Sequence, residues 1–142
     1  MQVSVFDVAA YILKKCGQMT TMKLQKLVYY CQAWSLVWDE KPIFKEPIEA
    51  WANGPVVRDL YDNHKGKFKI RKCHGDPAKL NNSQRETVDA VLKYYANKTS
   101  QWLSDLTHSE DPWKLARNGL GPGERGYRTI SHASMMEYYI SL

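Results

Sequence analysis

LQKLVYYCQAWSLVW, running from Leu24 to Trp38, is the stretch whose spacing decides the fold class. Leu24, Leu27, Val28, Cys31, Trp34 and Trp38 recur three and four residues apart, which predicts a helix with one broad apolar face opening after Thr20 or Thr21. Leu24, Leu27, Val28 and Trp34 are core on this periodicity. Cys31 lies on the same face, as a small buried hydrophobe. Gln25, Lys26, Tyr29 and Tyr30 flank that face, so some of them are expected at the surface.

Other helices follow working outward from this one. Upstream, Ser4 and Asp7 form a capping box for a segment carrying Val8, Ile12 and Leu13, which Gly17 ends. Downstream, the run Ile48–Ala52 alternates like a short strand. Asn53-Gly54-Pro55 reads as a sharp turn with Pro55 opening a short helix. Phe68, Ile70 and Lys72 alternate with Lys67, Lys69 and Arg71, predicting a second strand that pairs with the first. Ser83 and Glu86 suggest another capping box, ahead of Val88, Val91, Leu92 and Tyr95. A helix of about Ser100 to Thr107 follows, then one capped by Asp111 with Pro112 in its first turn and ending at Gly119. Gly119 to Gly126 holds four of the chain's eight glycines and reads as a loop. Ser131 caps a last helix with Met135, Met136, Tyr139 and Ile140. The expected architecture is mainly α: one domain over residues 1–142, with about six helices and a small two-stranded antiparallel ribbon.

Bulk properties narrow the function class. The 142 residues carry 44% apolar and 25% charged side chains and a net charge of +5, which favours an acidic partner without naming nucleic acid. Five Trp and nine Tyr supply either core or interface anchors. The three cysteines, Cys16, Cys31 and Cys73, are scattered, as expected of reduced thiols in the cytoplasm. The N-terminal stretch, broken by Asp7, reads as neither a signal peptide nor a membrane span.

No catalytic pattern stands out. Cys73-His74 lacks the further ligands of a zinc site, so no metal or cofactor is expected. Asp105 and His108 are spaced to orient one another on a helix, yet no nucleophile or second carboxylate motif accompanies them. The glycine-rich loop lacks the Gly-Lys-Ser/Thr ending of a phosphate-binding loop. Lys65 to Lys72 is basic, but lysines on a short edge strand also prevent edge pairing, and no base-reading helix is visible. The chain reads as a binding protein rather than an enzyme, with nucleic acid the disfavoured partner.

Three blocks then resemble a known family. Leu24-Gln25-Lys26-Leu27-Val28-Tyr29-Tyr30, followed by Gln32 and Trp34, is similar to the signature helix of the Panacea domain, the SocA-like antitoxin domain. Glu49-Ala50-Trp51-Ala52-Asn53-Gly54-Pro55-Val56-Val57, continuing to Tyr61, resembles its second block. Leu106-Thr107-His108-Ser109 with Pro112-Trp113 resembles its third, with Thr107 where Ser is commoner. Ile130 and Ser131 ahead of Met136-Glu137-Tyr138-Tyr139 look like its terminal helix.

The resemblance implies an antitoxin of a type II toxin–antitoxin pair, of the kind borne on phages or mobile elements. Such an antitoxin neutralises a cognate protein toxin by direct binding, for example a translation inhibitor or a small alarmone synthetase. The alternatives are an adaptor that delivers the toxin to an ATP-dependent protease, and a nucleic-acid-binding regulator. Gln25, Lys26, Tyr29, Tyr30, Trp51, Tyr61, His108 and Trp113 are the candidate partner-binding residues. Leu24, Leu27, Trp34, Gly54, Pro55, Val56 and Pro112 are structural, with Gly54-Pro55 fixing the angle between strand and helix.

Overall fold

A computed structural model describes residues 2–142. Seven helices and four short strands follow one another: α1 (Val5–Cys16), β1 (Met19–Thr20), α2 (Thr21–Trp38), β2 (Ile48–Trp51), β3 (Gly54–Val57), α3 (Arg58–His64), β4 (Lys69–Ile70), α4 (Asn82–Tyr95), α5 (Ser100–Ser109), α6 (Asp111–Ala116) and α7 (His132–Ile140). The mainly α class expected from periodicity is the one observed.

Helix boundaries follow local chemistry. The Ser4 hydroxyl accepts from the Asp7 amide at 3.3 Å and the Asp7 carboxylate accepts from the Ser4 amide at 2.9 Å, closing the expected capping box of α1. The capping box of α4 belongs to Asn81 and Gln84 rather than to Ser83 and Glu86. Asn81 adopts the extended backbone a cap needs, whereas Ser83 already lies inside the helix. Glu110, not Asp111, occupies the cap position of α6, and it makes no side-chain capping bond. That helix ends at Ala116, short of Gly119.

Strand pairing departs from the expected ribbon. β2 pairs with β3 across the two-residue turn Ala52-Asn53, and β4 pairs instead with β1. Gly54-Pro55 therefore closes a hairpin and does not open a helix. Gly54 stands at φ +121°, a conformation open to glycine, and Pro55 sits where its missing N–H costs no ladder bond. The Ala50 amide turns the other way and donates to the Arg128 carbonyl at 2.8 Å. Phe68 is 74% exposed, so only Ile70 of the basic run enters the core.

α2 runs through the middle, packed against α4, α5, α7 and β3. Leu24, Leu27, Val28 and Cys31 are wholly buried as expected, with Trp34 partly buried against the core. Between Leu24 and Ala33 the polar residues of α2 are buried as well, and each has a backbone or side-chain partner. The Gln25 amide group accepts from the Val57 N–H at 2.8 Å and donates to the Val57 carbonyl at 3.2 Å, so it completes the outer edge of β3 as a neighbouring strand would. Seven residues on, Gln32 does the same for the connection to β2, accepting from Ile43 N–H at 2.8 Å and donating to the Phe44 carbonyl at 2.8 Å. The apolar-face rule describes a helix with one wet side, and α2 has none between Leu24 and Ala33.

Candidate functional site

Gln25, Lys26, Tyr29 and Tyr30 are each at most 1% exposed, which overturns the expectation that some of them form surface anchors. They hold together the elements that carry the other blocks. Tyr30 O–H donates to Glu110 Oε1 at 2.7 Å, and Tyr139 O–H donates to the same oxygen at 2.7 Å. With its proton so committed, Tyr139 accepts from Tyr29 O–H at 3.0 Å. Burial raises the Glu110 carboxyl above its ordinary value, and the two tyrosine donors oppose that rise.

One turn earlier, Lys26 brings an amine beneath the hairpin. Its Nζ has a single long contact, 3.4 Å to the Pro55 carbonyl. Burial alone pulls its pKa from 10.5 down to about 7. The positive φ favours glycine at position 54, and a Cβ there would lie 2.6 Å from Lys26 Cε and 3.2 Å from Thr107 Oγ1, so any side chain would also displace the Lys26 amine. All three blocks meet at this point: Lys26 from the first, Asn53 and Gly54 from the second, Thr107 and His108 from the third.

His108 and Trp113 are half-buried and stack with ring centroids 4.2 Å apart. Trp113 N–H donates to the Trp51 carbonyl at 2.8 Å, which joins α6 to the hairpin. The His108 pKa is lowered by burial first and by the Lys26 charge second, while the Asn53 backbone opposes both. Asp105 does not orient His108: its carboxylate accepts from Gln101 at 2.8 Å. Pro112 and Val56 are buried, as a structural role requires.

Trp51 and Tyr61 are half-buried on the far side of the hairpin, edge to face at 4.8 Å. Arg58 lies over Trp51 at 5.3 Å and over Tyr127 at 4.8 Å, and it pairs with Glu49 at 2.9 Å. Trp51 and Tyr61, which the sequence leaves open between core and interface, are therefore partly at the surface, beside Arg58, which carries no sequence signal.

A second surface was not foreseen. The C-terminal end of α2, α4, α5 and α7 enclose a groove of about 590 Å³ walled by Trp34, Trp38, Tyr94, Tyr138 and Leu142, with Glu110 at its base. Trp38 is 50%, Tyr94 62% and Leu142 70% exposed. Trp38 keeps the spacing of the apolar face of α2. It lies one turn beyond Trp34, where α2 emerges from the packed helices, and stacks on Trp34 at 5.0 Å. Tyr94 had no signal in the sequence beyond its aromatic ring.

Residues 24–114 match the family described as antitoxin SocA-like, Panacea domain, a span that contains all three blocks. No curated protein and no solved structure matches the chain significantly. No helix among the described residues is long and apolar enough to cross a membrane. The three blocks are thus the residues that pin α5, α6 and the β2–β3 hairpin to the central helix, and the chain belongs to the SocA-like antitoxin family, as a Panacea domain.

Proposed function

We propose that the chain neutralises a cognate protein toxin by direct binding, as the antitoxin of a type II pair, and that it does so without turnover of a substrate. The observation that carries this reading beyond family membership is the open aromatic groove. Isolated exposed apolar side chains are ordinary, but Trp38, Tyr94 and Leu142 lie together around a buried carboxylate. Trp and Tyr are the side chains most often found as interface anchors. Glu110 adds charge complementarity, which fits a toxin segment that presents a basic residue among apolar ones.

Co-expression with the toxin encoded beside it tests the reading. Growth rescue and a purifiable complex support it, and no rescue with no complex sinks it. Rescue that vanishes on deletion of an ATP-dependent protease would transfer the role to proteolytic delivery.

The cluster of Trp51, Tyr61 and Tyr127 with Arg58, Lys65 and Arg125 favours a second reading, the binding of single-stranded nucleic acid through stacking and phosphate contacts. Glu49 neutralises part of that charge. Oligonucleotide affinity that falls steeply with salt would support this reading, and none at 50 mM salt would remove it.

A further inference from the structure

Two buried polar groups, on residues that border one cavity, lack adequate partners. Lys26 offers three N–H donors, and only the long contact to the Pro55 carbonyl receives one. His108 Nε2 is buried with no hydrogen-bond partner. Both groups line a cavity of about 360 Å³ whose other polar side chains include Asn53, Ser100, Gln101 and Ser104, and no carboxylate lines it. Asp105, the nearest acid acting on His108, is turned out to Gln101, while Lys26 and Arg117 both add positive field at the imidazole. An ammonium with one long hydrogen bond and a ring nitrogen with none, both out of water, are costly until an acceptor completes them.

We propose that this cavity is an oxyanion-binding site, in which one carboxylate or phosphate group accepts hydrogen bonds from Lys26 Nζ and His108 Nε2. The site deepens the toxin-binding reading by naming a chemistry that a partner can insert beside the hairpin, such as an acidic side chain. Its test uses no toxin, so the two claims fail separately. The cavity has room for one such group together with ordered water. The Ser100 hydroxyl lies within the same wall as a further donor, while Ser104 O–H is given to the Asn53 carbonyl at 2.9 Å.

The experiment is an NMR titration of the whole labelled protein with sodium acetate and with inorganic phosphate, held at constant ionic strength with chloride. Lysine Cε signals and histidine ring nitrogens are followed. Saturable shifts at Lys26 and His108 are expected, and the Lys26 titration midpoint should rise by at least one pH unit, because the anion binds the protonated amine at least tenfold more tightly. Lys26→Met should abolish saturation, and His108→Gln should weaken it at least fivefold while leaving the rest of the spectrum in place. Tighter acetate identifies a carboxylate site, and tighter phosphate a phosphate site. No saturable shift with either anion, or equal shifts in Lys26→Met, would overturn the proposal and leave the cavity to water.

Discussion

Replacing Lys26 by Met should stabilise the protein, and by an amount that depends on pH. The side chains are similar in length and both unbranched, so the cavity left is small. The folded lysine has a pKa of about 7 against 10.5 for the ordinary group, a difference worth about 5 kcal/mol once both states are fully protonated. The sign follows from proton counting. Between pH 7 and 10.5 the unfolded chain holds the proton and the folded chain does not, so stability rises with pH across that window. Below pH 7 both states hold it, and the full penalty applies. From pH 6 to pH 9.5 the wild type should therefore gain about 3 kcal/mol relative to Lys26→Met. Differencing against the variant cancels the other titrating groups, except for the coupling of Lys26 to His108. Urea denaturation at a series of pH values gives both curves. Parallel curves, or a variant less stable than wild type at pH 6, would refute the account of Lys26 as an under-partnered buried amine.

Other substitutions probe the remaining contacts. Gly54→Ala should cost about 2–4 kcal/mol, since it combines a positive φ with a Cβ driven against Lys26, and thermal melting reads it directly. Glu110→Ala leaves two buried tyrosine hydroxyls without an acceptor and should cost about 3 kcal/mol or more, whereas Glu110→Gln keeps an acceptor and should cost about 1 kcal/mol. Gln25→Ala unpairs both backbone groups of Val57 and should lower stability by about 2–4 kcal/mol, with faster amide exchange at Val57 as its local signature.

Much of the fold was legible because helices announce themselves locally. The Ser4–Asp7 box, the spacing of Leu24 to Cys31, and Ser131 at the last cap each need only neighbours in sequence. Strand pairing is non-local, and nothing near Ile48 or Ile70 says which partner each takes. The pairing of β4 with β1 depends on a two-residue strand at Met19–Thr20 that carries no pattern of its own. The site divides in the same way. His108 and Trp113 belong to one block, but only the fold shows that their rings stack. Tyr29 and Tyr30 were misplaced because their surroundings are set by α5, α6 and α7, whose positions around α2 no local pattern reports. Glu110 lies in the join between two helices, next to Asp111, the expected cap, and only the fold shows two tyrosines, 80 and 29 residues away, converging on it.

The central claim is that a protein partner seats on the groove between α2, α4 and α7. Isothermal titration of the neighbouring gene's toxin against wild type, Trp38→Asp and Tyr94→Asp tests it most directly. Trp38 stacks on Trp34 and Tyr94 packs edge-on against Tyr95, so each variant should lose about 1–2 kcal/mol of stability and remain folded. Each should weaken toxin binding at least 30-fold, about 2 kcal/mol. Wild-type affinity in both variants, with the toxin bound and neutralised, would contradict the account.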